Sequence, residues 1–147
     1  MSEISREALS RARFFFNKAK DCGISQRDDF EAYLDASIVF AQSAFYRAQY
    51  TYDRHPDFDI WWQSIKENHA FAFFLKQRNF IVHRKPSTIG QVIGFNNQSI
   101  YTNAYQLYFY EKDYSGNPIS IIKTIDDYLS EAEKALVIAY NKFKPNI

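Results

Sequence analysis

The residues whose types and spacing best suit chemistry are Arg78, Asn79 and His83. Arginine can bind a phosphate through two parallel hydrogen bonds, and histidine is the side chain whose charge changes near neutral pH. Asn79 and His83 are four residues apart, a spacing that brings two side chains together on one helix face. An arginine for the phosphate, a histidine for proton transfer and an amide for orientation suffice for metal-free cleavage of RNA. Arg84 and Lys85 add positive charge beside them and are the predicted contacts to the substrate.

The spacing of Arg78 and His83 sets a geometric condition on this chemistry. On an ideal helix five residues advance about 500°, so the two side chains would point ~140° apart. Either the backbone bends near Asn79, or a second chain supplies the other half of the site. A two-fold interface would bring two such pairs together and double the local positive charge. The chemistry therefore favours a homodimer.

Four helices are predicted from apolar periodicity and from start and stop signals. The first covers Ile4–Asp21, and the second begins at Ser25 and Asp28, a capping-box-like pair, and ends at Pro56. The predicted buried stripe of the first is Ile4, Ala8, Ala12, Phe15 and Ala19. That of the second alternates spacings of four and three: Phe30, Leu34, Ile38, Ala41, Phe45, Ala48 and Tyr52.

The third helix is predicted as one long element that begins near Asp57 or Asp59, ends at Pro86 and carries the candidate motif. A short link joins it to the second helix, which favours an antiparallel pair. Its predicted buried side consists of Phe58, Trp61, Trp62, Ile65, Ala72, Leu75 and Val82. Thr124 and Asp127 are predicted to cap the last helix. Its stripe is Ile125, Leu129, Ala132, Leu136, Ala139 and Phe143.

Between the third and last helices the pattern becomes β-prone. An aromatic strand is predicted over Tyr105–Glu111, a turn over Ser115–Pro118 and a returning strand over Ile119–Lys123, with a further strand near Gln91–Phe95. The predicted fold is therefore mainly α. We expect an antiparallel bundle of four to five helices with a small β-hairpin insertion, residues 88–123, before the last helix.

The segment 78–83 resembles the motif of the HEPN superfamily, an arginine followed by a polar residue, a spacer and a histidine. The long helical hairpin before it and the closing helix after it are also similar. The resemblance implies a single HEPN-like domain over residues 1–147. Members are all-helical, commonly dimeric, and often metal-independent ribonucleases of toxin–antitoxin or antiviral systems, while others have lost activity. It further implies that Arg78 and His83 are the catalytic pair, that Asn79 supports them, and that the products are a 2′,3′-cyclic phosphate and a 5′-hydroxyl.

Composition limits the other function classes. Lys and Arg total 18 against 17 Asp and Glu, so any contact to RNA must be local or depend on charge concentrated by assembly. Cys22 is the only cysteine, which excludes an internal disulfide, and no apolar run is long enough to cross a membrane, so we expect a cytoplasmic protein. His69 and His83 are too far apart on one helix to share a metal, and no cofactor is expected.

Three less specific interpretations stay open. Arg78 and His83 could form a solvated basic helix end that interacts favourably with the helix dipole. The chain could also be a catalytically silent helical module that binds a nucleotide or a protein partner such as an antitoxin, or a dimeric scaffold without a ligand. The aromatic segment 105–114 fits core packing or a protein interface as well as it fits a ligand site.

Overall fold

The structure, a computed structural model, describes residues 3–23, 25–82, 89–91, 107–112 and 118–143. The protein is mainly helical. The elements in chain order are α1 (Glu3–Lys20), α2 (Arg27–Tyr52), α3 (Phe58–Lys66), α4 (His69–Val82), β1 (Ile89–Gln91), β2 (Leu107–Lys112), β3 (Pro118–Ser120) and α5 (Ile121–Phe143).

Helices α1 and α2 pack antiparallel along a line of small side chains, the α1–α2 seam. The hydroxyl of Ser5 donates to the carbonyl of Ala44 at 3.1 Å, and that of Ser37 donates to the carbonyl of Ala12 at 2.8 Å. All four residues are fully buried. Serine and alanine allow the two backbones to approach closely enough for a side-chain hydroxyl to reach the opposite main chain. The two hydrogen bonds therefore fix the register between the helices.

The close approach also explains where the predicted stripe of α1 is wrong. Ile4 is exposed and Phe15 is half-buried, whereas Ser5 and Phe16 are fully buried. The prediction followed apolar residues alone, and the seam instead buries a hydroxyl that finds a carbonyl partner. The stripes predicted for α2 and α5 are confirmed, since every residue in them is buried.

The predicted capping box at the start of α2 is wrong. The helix begins at Arg27, and the side chain of Gln26, the residue at the cap position, makes no capping hydrogen bond. The side chain of Gln26 instead accepts a hydrogen bond from the backbone N–H of Gly23 at 2.8 Å. This contact closes the tight connection from α1 and satisfies a donor that lies before α2.

The predicted long third helix is two helices, α3 and α4, separated at Glu67 and Asn68. The side-chain oxygen of Asn68 accepts hydrogen bonds from the backbone N–H groups of Ala70 at 3.0 Å and Phe71 at 3.2 Å. Asparagine is among the best residues at this position because its side chain satisfies the donors that a new helix leaves free. The cap therefore favours the beginning of a new helix after Asn68 over a continuation of α3.

The restart changes which face of α4 is buried. Ala72 is exposed and Leu75 is only half-buried, so the predicted burial of Ala72 is wrong. Among the side chains of α4 that the structure describes, the buried ones are Ala70, Phe71, Phe74 and Gln77. The predicted buried side is confirmed for α3, where four of its residues are buried: Phe58, Trp61, Trp62 and Ile65.

The last helix begins earlier than predicted. α5 starts at Ile121, directly after β3, so residues 121–123 form helix and not the end of a strand. Ile121 is fully buried and lies one turn before the equally buried Ile125. The apolar stripe of α5 thus extends one turn towards its N-terminus, and burial of Ile121 favours helix over strand there.

The three strands pair antiparallel in the order β1-β2-β3, with Ile89 opposite Phe109 and Phe109 opposite Ile119. The connecting segments 92–106 and 113–117 lie outside the described residues. Most of the predicted turn and most of the strand predicted near Gln91–Phe95 fall in these segments. The β-hairpin insertion as a unit therefore stays a prediction.

We expect Ala44→Leu to destabilise the protein by about 1–3 kcal/mol, because the α1–α2 seam leaves no space for a larger side chain. Ala32→Leu is the matched control, since Ala32 lies on the exposed face of the same helix. The control should change the free energy of unfolding by less than about 0.5 kcal/mol. Urea denaturation measures both values, and equal effects would contradict the close approach.

Asn68→Ala removes the cap of α4 and should cost about 1 kcal/mol. For a chain of this size that loss corresponds to a decrease in Tm of about 2–4 °C. Asn68→Ser retains a capping oxygen and should stay close to the wild-type Tm. A Tm that is unchanged in Asn68→Ala would show that the cap does not stabilise the break between α3 and α4.

Asp35 of α2 makes stability depend on pH. Burial, with the negative charge of Glu31 one turn earlier, raises the pKa of Asp35 to about 6. Its Oδ1 atom has no hydrogen-bond partner within the described residues. The pKa is higher in the folded protein than in the unfolded chain, so the folded state binds this proton more tightly. Protonation of Asp35 therefore stabilises the folded state. This stabilisation is complete below about pH 4 and is lost as the pH rises through about 6.

Asp35→Asn should therefore raise Tm clearly at pH 7.5, where the wild-type carboxylate is charged. The gain should be smaller at pH 4.5, where that carboxyl group is mostly protonated in the folded state. Thermal melts of both proteins at the two pH values measure the difference. Asp28→Asn, which removes an exposed carboxylate from the same helix, is the control and should show no such gain. A gain in Asp35→Asn that is equal at both pH values would contradict the raised pKa.

Candidate functional site

Arg78 is half-buried on α4 and lines a pocket of about 290 Å³, here called the Arg78 pocket. Ile4 of α1 forms one edge of this pocket, and a single face of α2 forms most of its wall. The contributing residues of α2 follow the spacing of one helix face: Val39, Gln42, Ser43, Tyr46, Arg47 and Tyr50. The α1–α2 seam places Ile4 beside this face, and the break at Asn68 sets the rotation of α4 that brings Arg78 to it.

The Arg78 pocket contains two guanidinium groups with different surroundings. Nη1 of Arg47 donates to the carbonyl of Ile4 at 3.1 Å and lies 3.8 Å from a carboxylate oxygen of Glu7. Glu7 also pairs with Arg11 at 2.8 Å, so its charge is shared. Arg78 pairs with no carboxylate in the part of the chain that the structure describes. Positive charge therefore remains available to an anion, and a guanidinium is well suited to a phosphate or carboxylate.

Gln42 contributes an unpartnered amide to the same pocket. Its side chain is 1% exposed, and within the described ranges neither Oε1 nor Nε2 has a hydrogen-bond partner. Leaving such a group buried and unpaired costs about 1–3 kcal/mol. Both amide atoms are enclosed by the core and do not face the open volume of the pocket.

Two tyrosines give the Arg78 pocket an aromatic side. The ring of Tyr46 lies 6.1 Å from that of Trp62 and 6.2 Å from that of Phe71, measured between centroids, so the core holds it in place. Tyr50 is 80% exposed at the pocket edge. Such rings can pack against a flat ligand, while their hydroxyls and that of Ser43 can form hydrogen bonds.

The predicted site residues fall into two groups. Arg78 lines the pocket, and Asn79, the next residue of α4, is exposed and does not line it. His83, Arg84 and Lys85 lie outside the described residues. The distance between Arg78 and His83, and with it the need for a bent helix or a second chain, stays a prediction.

The contribution of α2 to this site was not predicted from the sequence. The apolar stripe of that helix predicts its buried face, and the neighbouring face carries no comparable pattern of apolar residues. The signal was present, because Gln42, Ser43, Tyr46, Arg47 and Tyr50 recur at helical spacing beside the stripe. The pattern alone does not distinguish a ligand-binding face from a solvated one, and only the position of Arg78 opposite to it marks a pocket.

No family model matches this chain, and no curated protein or solved structure matches it either. Among the described residues, no three His, Cys, Asp or Glu side chains are grouped so that they could hold a metal ion. None of the helices in the described ranges is long and apolar enough to span a membrane. The motif at residues 78–83 and the Arg78 pocket are therefore the two features that bear on function.

Proposed function

We propose that the protein is a HEPN-like, metal-independent endoribonuclease or a related RNA-binding protein, and that Arg78 binds a phosphate of the RNA. The observation that carries the proposal is the position of Arg78. It has no carboxylate partner in the described part of the chain and lines a pocket together with a second arginine. A preorganised guanidinium can offset the negative charge that develops on a phosphate during cleavage.

In the proposed reaction the ribose 2′-oxygen attacks the adjacent phosphorus and the bond from phosphorus to the 5′-oxygen breaks. His83 accepts the proton of the attacking hydroxyl or supplies a proton to the leaving oxygen. Asn79 orients His83 or the phosphate, and Arg84 and Lys85 contact the RNA backbone. The products are a 2′,3′-cyclic phosphate and a 5′-hydroxyl.

The proposal includes an assembly. The helices would form an antiparallel bundle with residues 88–123 as a β-hairpin insertion, and two chains would form a homodimer. The dimer would place two motifs face to face and raise the local positive charge, which the near-neutral chain otherwise lacks. A cytoplasmic role in a toxin–antitoxin pair or in antiviral defence, with an antitoxin as a further partner, follows from the resemblance alone.

The second candidate function is a catalytically silent module that binds a nucleotide or protein partner. It is favoured by the chemistry of the Arg78 pocket itself. Its described lining supplies cations, hydroxyls and aromatic rings, but neither a histidine nor a carboxylate for proton transfer. Binding at this pocket therefore does not require His83, whereas cleavage does.

We expect the wild-type protein to cleave RNA with a chelator present, and Arg78→Ala and His83→Ala each to lower the rate at least about 100-fold. The control is Lys134→Ala, which removes an exposed cation from α5 and should leave the rate unchanged. Gel analysis of labelled RNA measures the rates, and circular dichroism checks that each variant is folded.

Each outcome distinguishes the two functions. Equal rates in all four proteins indicate a contaminating nuclease and contradict the enzyme. RNA binding that Arg78→Ala weakens, without cleavage by the wild type, supports the silent module. RNA binding that is indifferent to Arg78 contradicts both functions at this pocket.

A further inference from the structure

Tyr50 is an exposed aromatic residue near the end of α2. Its side chain is 80% exposed, and within the described residues it makes no hydrogen bond and no ring contact. The rings of Tyr46 and Tyr52, by contrast, lie against tryptophans of α3. A single exposed apolar residue is common on protein surfaces and by itself indicates nothing. The surroundings of Tyr50 are what make it a candidate for binding.

Tyr50 borders two hollows of the surface. It lines the Arg78 pocket, and it also lines a second space of about 410 Å³, here called the Arg54 hollow. The Arg54 hollow is formed by Tyr50 and Thr51 of α2 and by Asp53 and Arg54 of the turn that follows this helix. Because one exposed ring borders both spaces, a chain molecule bound in the Arg78 pocket can pass over Tyr50 into the Arg54 hollow.

Both spaces carry cations. The Arg78 pocket contains Arg78 and Arg47, and Arg54 is exposed and pairs with no carboxylate in the ranges that the structure describes. Asp53 also lines the Arg54 hollow, so this hollow is near neutral and should bind a phosphate less tightly than the Arg78 pocket does. Cations on both sides of an exposed ring suit a single nucleic-acid strand, whose phosphates bind the cations while a base stacks on the ring.

We propose that Tyr50 stacks on a base of a single-stranded RNA, and that Arg54 binds a further phosphate of the strand held by Arg78. This inference rests on the proposed function and deepens it, because it extends the RNA from the phosphate at Arg78 along the end of α2. Stacking on Tyr50 does not select one base, since every base has a flat face. It does require an unpaired strand, because the bases of a duplex are stacked on each other and do not reach the ring.

The first test measures binding of a fluorescent single-stranded RNA octamer in the presence of a chelator. His83→Ala serves as the reference protein, because it retains both spaces and is not expected to cleave. Tyr50→Ala in this background should weaken binding at least about 5-fold. Tyr50→Phe and Tyr50→Trp retain a flat ring and should stay within about twofold of the reference.

Tyr140→Ala is the matched control for the loss of a tyrosine. Tyr140 is an exposed tyrosine of α5 that lines neither the Arg78 pocket nor the Arg54 hollow, so its loss should not change the affinity. Because the ring of Tyr50 lies mostly in solvent, Tyr50→Ala should keep the Tm of the reference to within about 2 °C. A weaker affinity in Tyr50→Ala is then an effect on binding and not on folding.

Two further measurements separate stacking from charge. Tyr50→Ala should leave the affinity for an RNA duplex of the same sequence within about twofold, because paired bases do not reach the ring. It should also leave the salt dependence of octamer binding unchanged, since a tyrosine releases no counterions. Arg54→Ala should instead reduce the magnitude of the slope of log K against log salt by about 0.7, the value for one phosphate contact on a single strand. Lys134→Ala, which removes an exposed cation from α5, should leave this slope unchanged.

Asp53→Asn should increase the affinity for the octamer. The change removes the negative charge from the Arg54 hollow, so the strand should bind at least about twofold more tightly at low ionic strength. Asp28→Asn, which removes an exposed carboxylate from the opposite end of α2, is the control and should leave the affinity unchanged.

The inference and the proposed function fail in different ways. Binding that depends on Arg78 but not on Tyr50, or that Tyr50→Ala weakens equally for octamer and duplex, overturns stacking and leaves the proposed function intact. Loss of affinity in Tyr50→Phe as well indicates a contact of the hydroxyl and also overturns stacking. An unchanged salt slope in Arg54→Ala, or an unchanged affinity in Asp53→Asn, overturns the path through the Arg54 hollow. Absence of RNA binding, or binding that does not depend on Arg78, overturns both.

Discussion

The close approach of α1 and α2 is the constraint on which the rest of the described structure depends. Serine hydroxyls bond to carbonyls of the opposite helix at two widely separated points, from Ser5 to Ala44 and from Ser37 to Ala12, so the helices cannot slide past each other. With the register fixed, the carbonyl of Ile4 reaches the guanidinium of Arg47. The first turn of α1 thus becomes one edge of the Arg78 pocket, and small side chains far from that pocket determine its shape.

The break at Asn68 is the second constraint, because it sets the rotation of α4. If α3 continued without interruption, Ala72 and Leu75 would lie on the buried stripe, as the apolar pattern predicts. The new start buries Phe74 and Gln77 instead and leaves Arg78 at the border between core and solvent. At this border a guanidinium keeps its charge and can still reach a ligand that is partly enclosed.

The charge of Arg78 is the feature of the Arg78 pocket that favours binding. Arg78 pairs with no carboxylate of the described chain, and it stays half-exposed, so its guanidinium remains open to a molecule in the pocket. Arg47, on the facing wall of α2, adds a second positive charge. Two guanidinium groups in one pocket support the proposal that this pocket binds an anionic ligand.

The sequence alone determined the helices whose burial is periodic. The buried stripes of α2 and α5 are predicted correctly, because apolar residues recur in them about every 3.6 positions. Only the tertiary structure decided where α4 begins, since one capping side chain at Asn68 overcomes a weak apolar pattern that runs through it. Only the tertiary structure decided that Arg78 and Gln42 share a pocket, because they lie on different helices and no spacing along the chain relates them. Whether a buried amide finds a partner depends on every element around it, and this is a property of the packed chain that no local pattern contains.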